Sequence, residues 1–149
     1  QSIRVKIRDE YLRDSSITIV LVGTETKYRK HIDWEIYSSM YNGIKNKQSG
    51  ILVINLPTVN GSQISITEDD KLILGRDISW SPITSYERYD YLPKRILDNI
   101  KTNGVHICVA DYDRIITNPE GFRRLLDIAY ENRCCNKYDL SERMRRRNG

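Results

Sequence analysis

The amino-acid sequence predicts an α/β fold, in which a central parallel β-sheet is flanked by helices on both sides as a three-layer sandwich. Three short runs are apolar and β-branched almost throughout, at residues 16–22, 50–56 and 105–110. Runs of this kind are typical of parallel strands that are buried on both faces. Segments with helical periodicity separate them, and this alternation of buried strands and helices favours a parallel sheet covered on both sides.

The helices are predicted from the spacing of apolar residues and from their end signals. Apolar residues recur at helical intervals over residues 3–14, 27–42 and 93–101. Gly43 is well placed to end the second of these helices, because glycine readily adopts the left-handed conformation that follows a helix. The chain is therefore expected to open in a helix and to place another one directly after the first strand.

A further helix is predicted to begin at Asn118-Pro119-Glu120. The three residues provide a capping side chain, a proline at the first helical position and an acid near the positive end of the helix dipole. Residues 57–91 are less regular, and they contain several glycines and prolines. This segment is interpreted either as a short hairpin or as a long excursion from the sheet.

Length and charge divide the chain into one domain and a tail. A chain of 149 residues is long enough for a single domain with a substantial core. We assign residues 1–133 to this domain, which starts at Gln1 rather than at a methionine and is interpreted as lacking its first strand. Residues 134–149 form a basic tail, and much of the net charge of +4 lies in its four arginines, Arg143, Arg145, Arg146 and Arg147. Such a run can contact phosphates, but it is more often a solvated, partly disordered end.

Composition also excludes several classes of protein. No apolar run approaches the roughly 20 residues that span a bilayer, so we expect a cytoplasmic protein with no membrane partner. The aromatic residues are not interleaved with Lys and Arg as in a base-stacking platform, which argues against nucleic acid. Cys108, Cys134 and Cys135 lack the spacing of metal ligands, and no metal site is predicted.

The candidate site lies after the first predicted strand. Ligands of open parallel sheets bind at the carboxyl ends of the strands, which is where the turn of residues 23–26 falls. On the following helix, Tyr28, Ile32, Ile36 and Met40 form an apolar stripe, and Glu35 falls within roughly 20° of Tyr28. Glu35 is therefore expected at the edge of the inward face, where a partly buried carboxylate is often tuned for chemistry. The other interpretation is a structural Glu that pairs with Arg29 or Lys30.

The sequence around this helix resembles one known family. The strand and turn Ile17-Thr18-Ile19-Val20-Leu21-Val22-Gly23-Thr24-Glu25-Thr26 are followed by Arg29-Lys30-His31 and then by Trp34-Glu35-Ile36. This pattern is similar to the central motif of the Toll/interleukin-1 receptor-like (TIR-like) domains of Thoeris antiphage systems. The resemblance covers roughly residues 10–56 well and extends more weakly to the later strand and helix.

The resemblance implies a flavodoxin-like or TIR-like sandwich and an activity. Glu35 corresponds to the catalytic glutamate of TIR domains that cleave NAD⁺ between nicotinamide and ribose. Gly23, Thr24, Thr26 and Arg29 are then expected to bind the substrate. NAD⁺ is the substrate and no cofactor is implied. The Thoeris type makes a cyclic ADP-ribose isomer, a signalling nucleotide that activates a downstream effector.

Two departures from the family pattern bear on the site. The family's first strand and the loops after it help to form the nucleotide pocket, and we interpret them as missing from this chain. His31 stands where the family often has a Trp. A His at this position can stack or donate a hydrogen bond, but we interpret it as a surface residue rather than a catalytic one.

Two other functions remain open from the sequence. Many TIR domains are scaffolds that assemble without turning over NAD⁺, and exposed aromatic residues at Trp34, Tyr37 and Tyr41 would favour an interface. Assembly into a homo-oligomer is expected in either case. A receiver-like nucleotide-sensing domain would need an acidic metal cluster, for which Asp111 and Asp113 are the candidates, although strand-end acids more often act as turn or cap residues.

Overall fold

A computed structural model describes residues 16–59 and 89–149 of the chain. Over these residues the sheet has three strands in the order β1-β2-β3, and both neighbouring pairs are parallel. Helices connect the strands and lie on both faces of the sheet. The protein is thus an α/β sandwich of the flavodoxin-like or TIR-like type, as the sequence predicts.

The described strands and helices follow one another in the predicted order, with one additional short helix at Tyr112–Ile116 that was not predicted. The strands are β1 (Ile17–Val22), β2 (Gly50–Asn55) and β3 (Ile107–Asp111). The helices are α1 (Lys30–Met40), α2 (Lys94–Ile100), α3 (Tyr112–Ile116) and α4 (Pro119–Asn132), and a 3₁₀ turn (Thr26–Tyr28) precedes α1. The predicted opening helix at residues 3–14 and nearly all of the irregular segment at 57–91 lie outside the described residues.

Two apolar clusters, one on each face, hold the layers together. Since side chains alternate along a strand, Val53 of β2 packs with α1 and α2 on one face, while Leu52 packs with α3 and α4 on the other. All six residues of β2 are buried, which is why the side chains on both faces of this strand are mostly apolar. Gly50 lets α4 approach closely, because an added Cβ would lie only 2.1 Å from the Ala129 carbonyl oxygen.

One prediction about β1 is wrong. This strand was expected to be buried on both faces, but in the described residues it lies at the edge of the sheet, with Ile19 and Leu21 42% and 53% exposed. Val20 and Val22, on the other face, are buried under α1. Apolar periodicity indicates that a strand can be covered on both faces, and the tertiary arrangement decides whether it is.

Helix α1 begins later than predicted. The apolar stripe was counted from Tyr28, but Tyr28 belongs to the 3₁₀ turn and is 40% exposed. The α-helix starts at Lys30 and ends at Met40, three residues before Gly43. The start of α4 is confirmed, with the Asn118 side chain accepting a hydrogen bond from the Gly121 amide and Pro119 in the first turn.

The C-terminal tail is docked onto the domain by hydrogen bonds, although its residues Arg143, Arg146 and Arg147 are exposed to solvent as expected. Near its beginning the Tyr138 hydroxyl donates to the Ser49 carbonyl oxygen at 2.6 Å, and the backbone of Asp139 exchanges two hydrogen bonds with the buried amide of Asn99. Further on, the backbone N–H of Arg145 donates to Asp33 of α1. The tail therefore runs along α2 from the amino ends of the strands to the beginning of α1.

Among the described residues, no helix is long and apolar enough to cross a membrane.

Candidate ligand cavity at the start of helix α1

The turn after β1 is closed by its own side chains. The Gly23 amide donates to Thr26 Oγ1 at 2.8 Å, and the Tyr28 and Arg29 amides donate to backbone carbonyls of the same turn. A threonine hydroxyl that accepts from a nearby amide stabilises such a turn locally. This local bonding directs the chain from the carboxyl end of β1 into α1.

A cavity of about 310 Å³ lies beside this turn. Three parts of the chain form its wall: the turn and first residues of α1, the beginning of α2, and the tail. The lining residues are Thr26, Lys27, Arg29, Asp33, Pro93, Lys94, Arg95, Asp98, Glu142, Arg143 and Arg145. The volume is at the lower end of the range of about 300–1,000 Å³ that is usual for small-molecule sites.

A buried ion pair joins α1 to α2 in the wall of the cavity. Arg95 Nε and Nη2 lie 2.7 and 3.2 Å from the two carboxylate oxygens of Asp33, so the pair is bidentate. Both side chains are less than 10% exposed. A bidentate guanidinium–carboxylate pair fixes orientation as well as charge, so α1 and α2 are held in one relative position at this end of the sheet.

The tail is attached to the same pair. Arg95 donates from Nη1 to the Glu142 carbonyl oxygen and from Nη2 to that of Arg143. The Arg145 amide donates to Asp33 Oδ2 at 2.8 Å, and its guanidinium donates to the Lys27 carbonyl oxygen at 2.7 Å. The polar groups of the buried pair are therefore satisfied partly by the tail, which becomes the third side of the cavity.

The tail also covers the outer face of α1. The indole N–H of Trp34 donates to the Arg145 carbonyl oxygen at 2.7 Å, and the Asn148 side chain accepts from the Lys30 amide at the start of the helix. Trp34, Tyr37 and Tyr41 are only partly exposed. The expectation that they form an exposed aromatic face is wrong, because the tail and the Arg95 side chain, 5.0 Å from the Tyr37 ring, lie against this helix.

The cavity is positively charged. Six of its lining side chains are cationic and three are acidic, which leaves a net charge of +3. Arg95 is paired with Asp33, and Lys94 lies 2.8 Å from Asp98 and 3.8 Å from Glu142. Lys27 pairs outside the lining, with Asp90, and this hydrogen bond and charge raise the pKa of Lys27 against the opposing effect of burial.

Two of the predicted substrate-binding residues line the cavity, namely Thr26 and Arg29. Gly23 lies behind them and is bound to Thr26. Thr24 is exposed in the turn and does not line the cavity. The structure thus brings part of the predicted set together.

Glu35 is exposed, and it does not line the cavity. Its expected position at the edge of the inward face is wrong, because the buried stripe of α1 runs through Asp33, Ile36 and Met40. At about 100° per residue, Glu35 is turned some 100° from Ile36. Within the described residues its carboxylate forms no ion pair with Arg29 or Lys30, so the structural pairing is not seen either.

His31 is exposed and lies with its ring edge-on to Trp34, the two centroids 4.6 Å apart. This agrees with its interpretation as a surface residue. The Lys30 ammonium group lies 5.4 Å from the centroid of the Trp34 ring. These three side chains form a cation–aromatic group on the outer side of α1.

A second cavity, of about 480 Å³, lies at the carboxyl ends of β2 and β3. Asp111 accepts a hydrogen bond from the buried Asn55 amide at 3.1 Å, and Asp113 lies in the first turn of α3. Over residues 16–59 and 89–149, no group of three or more His, Cys, Asp or Glu side chains could hold a metal ion. The receiver-like interpretation therefore gains no support from the described part of the chain.

Asp33, Arg95 and the tail arginines were not predicted from the sequence as members of the site. Asp33 carried a signal, since an acid three residues before Ile36 falls on the buried stripe of a helix that starts at Lys30. Arg95 carried none, because an arginine in a short helix is normally exposed. The tail could be placed here only by its long-range contacts.

A parallel α/β sandwich with a basic cavity next to the first strand–helix turn defines the class of the protein. The sequence comparison adds a family likeness: residues 1–61 match the model of the family described as Thoeris protein ThsB, TIR-like domain. The predicted resemblance is confirmed over these residues, which include β1, the turn, α1 and β2. No curated protein and no solved structure matches the chain. This part of the chain is therefore similar to proteins of Thoeris antiphage defence.

Proposed function

We propose that the protein is a TIR-like enzyme that cleaves NAD⁺, releases nicotinamide and produces a cyclic ADP-ribose-type signal in antiphage defence. The observation that carries the proposal is the family match, because residues 1–61 contain Glu35 and all four predicted substrate-binding residues. The signal would act on a downstream effector. We expect the enzyme to work in the cytoplasm as a homo-oligomer.

The chemistry suits a carboxylate at position 35. Cleavage breaks the bond between the nicotinamide nitrogen and the ribose carbon, and positive charge develops on the ribose ring as nicotinamide leaves. A nearby anion stabilises that charge and can hold a ribose hydroxyl. Glu35 is exposed and unpaired among the described residues, so its negative charge is available to a ligand.

The cavity supports the part of the proposal that concerns substrate binding. Thr26 and Arg29 line it, and Arg29 precedes α1, on which Glu35 lies less than two turns further along. Thr24, exposed in the turn between β1 and α1, is the residue we expect to contact the sugar.

The test is to replace Glu35 and follow the products. The full-length protein is incubated with NAD⁺, with and without lysate of phage-infected cells, and nicotinamide and ADP-ribose isomers are measured by chromatography and mass spectrometry. We expect Glu35→Gln to lower nicotinamide release at least about 100-fold, since transition-state charge stabilisation by one group is typically of this size. Glu25→Gln, which changes an exposed acid of the neighbouring turn, is the matched control and should keep its activity.

The alternative is a non-catalytic TIR-like scaffold. It is favoured by the exposed apolar side chains of Ile19 and Leu21 on β1, since exposed apolar surface often marks an interface. Folded wild-type protein that releases no nicotinamide under either condition would favour this scaffold. Equal activity of wild type and Glu35→Gln would remove Glu35 from the mechanism.

A further inference from the structure

The tail forms one wall of the cavity, and the proposed cleavage assigns it no role. Glu142, Arg143 and Arg145 line the cavity opposite Thr26 and Arg29. The family match ends at residue 61, so nothing in the match accounts for these tail residues. Their chemistry has to be inferred from the cavity itself.

We propose that the docked tail completes a diphosphate-binding site, in which Arg143 and Arg145 of the tail act together with Arg29 of the turn. The ligand class is a diphosphate group, either free or within a dinucleotide. The identification of that dinucleotide as NAD⁺ rests on the proposed function, whereas the diphosphate site does not.

The first argument is the distribution of charge. Three cationic residues of the lining form an ion pair with an acid, namely Arg95, Lys94 and Lys27. Arg29, Arg143 and Arg145 form none among the described residues. Three arginines that line one cavity without acidic partners repel one another, and an anion with several oxygens would relieve this repulsion while accepting their hydrogen bonds.

The second argument is that the wall is held in place before any ligand binds. The backbone of the tail is fixed by Arg95 and Asp33, through the carbonyl oxygens of Glu142 and Arg143 and the amide of Arg145. A site whose groups are already ordered loses less conformational entropy on binding. The buried ion pair thus positions the tail arginines without using their charges.

The third argument is the local field and the size of the site. The cavity lies at the start of α1, an 11-residue helix whose N-terminus carries a partial positive charge that favours anions. Its volume of about 310 Å³ suits a diphosphate better than a whole dinucleotide. The nucleosides of a dinucleotide would therefore lie outside the cavity.

The experiment measures ligand binding by isothermal titration calorimetry on the full-length protein at fixed ionic strength. The probes are inorganic pyrophosphate, ADP-ribose and nicotinamide riboside, which has no phosphate. We expect pyrophosphate and ADP-ribose to bind and nicotinamide riboside not to compete with pyrophosphate. Tighter binding of ADP-ribose than of pyrophosphate would indicate a dinucleotide diphosphate, and the reverse would indicate free diphosphate.

Arg143→Gln is the test variant, because its side chain lines the cavity and makes no hydrogen bond in the described structure, so that folding should be retained. We expect it to weaken pyrophosphate binding roughly tenfold or more, as for loss of one charged hydrogen bond. Arg147→Gln removes the same charge from an exposed tail residue outside the cavity and should change the affinity less than about twofold. Equal weakening by the two variants, or no binding of pyrophosphate to wild type, would overturn the site.

The two proposals fail separately. If pyrophosphate binding depends on Arg143 but no nicotinamide is released, the diphosphate site stands and NAD⁺ cleavage does not. If nicotinamide release depends on Glu35 while Arg143→Gln changes neither the pyrophosphate affinity nor the KM for NAD⁺, the cleavage stands and the diphosphate site does not.

Discussion

The two long walls of the cavity differ in how the sequence encodes them. The first, Thr26 to Asp33, is a short local motif that lies within the family match and next to its own strand. The second, Glu142 to Arg145, belongs to a basic tail whose composition resembles that of a disordered end. Yet the tail wall is as firmly bonded as the motif wall, through Arg95 and Asp33.

The two walls differ in the sequence separation of the contacts that hold them. Turn bonds such as Gly23 to Thr26 span three residues, whereas the bond between Arg145 and Asp33 spans 112. A local motif can be recognised from residue types and spacing. A contact across that distance depends on the buried residue that accepts it, so the position of the tail against the domain could not be predicted from composition alone.

The largest effect is expected from removing Asp33, the acid that binds both the Arg95 guanidinium and the backbone of the tail. Asp33→Ala should lower the free energy of unfolding by about 3–5 kcal/mol, because it leaves the Arg95 guanidinium buried without its counter-ion. It should also release the tail, because the Arg145 amide loses its acceptor. Urea denaturation measures the first effect, and amide hydrogen exchange over residues 142–149 measures the second.

Asp98→Ala is the matched control, since Asp98 also lines the cavity but pairs with the exposed Lys94. It should cost less than about 1 kcal/mol and leave exchange in the tail unchanged. If Asp33→Ala were no more destabilising than Asp98→Ala, the buried pair would not be what anchors the tail.

A smaller effect is expected at the beginning of the tail, from Tyr138→Phe. The Tyr138 hydroxyl donates to the Ser49 carbonyl oxygen and accepts from the Asn136 side chain. Its loss should cost about 1–3 kcal/mol at neutral pH, because both buried partners lose a hydrogen bond. Thermal or urea unfolding of the two proteins measures the difference.

The same residue gives a pH dependence with a definite sign. Burial raises the pKa of the Tyr138 phenol well above its usual value, although the hydrogen bond from Asn136 opposes the shift. The unfolded chain therefore ionises this group first, so its contribution to stability is complete below a pH of about 10 and is lost as the pH rises beyond it. The decline in stability above pH 10 should be shallower in Tyr138→Phe than in Tyr130→Phe, whose tyrosine is exposed; identical slopes would contradict this.

The smallest effects are expected from removing two helix caps, one supplied locally and one supplied by the tail. Asn118 caps α4 from the preceding residue, and Asn148 caps α1 from the tail, by accepting from the Lys30 amide at 2.9 Å. Asn118→Ala should cost about 1 kcal/mol. Asn148→Ala should cost less, because the tail must also be ordered, but it should speed hydrogen exchange at the Lys30 amide. Unchanged exchange at Lys30 would mean that the tail does not cap α1 in solution.

Much of the fold was predictable because it depends on repeated local patterns. The three apolar runs correspond to β1, β2 and β3, and the Asn118-Pro119 signal marks the start of α4. The position of Glu35 was predicted wrongly because the helical stripe was counted from Tyr28, which lies in a 3₁₀ turn. An error in where a helix begins changes which residues are inferred to face inwards. The acid of α1 that is buried is therefore Asp33 and not Glu35.

By itself, the sequence determined the parallel α/β architecture, the turn after β1 and the family resemblance of residues 1–61, because these follow from periodicity and from residue types at short spacing. Only the tertiary structure decided that Asp33 pairs with Arg95 and that the tail closes the cavity. The physical reason is that a buried charge must find its partner in space, and the chain offers that partner 62 residues away in Arg95 and 112 residues away in the backbone of Arg145.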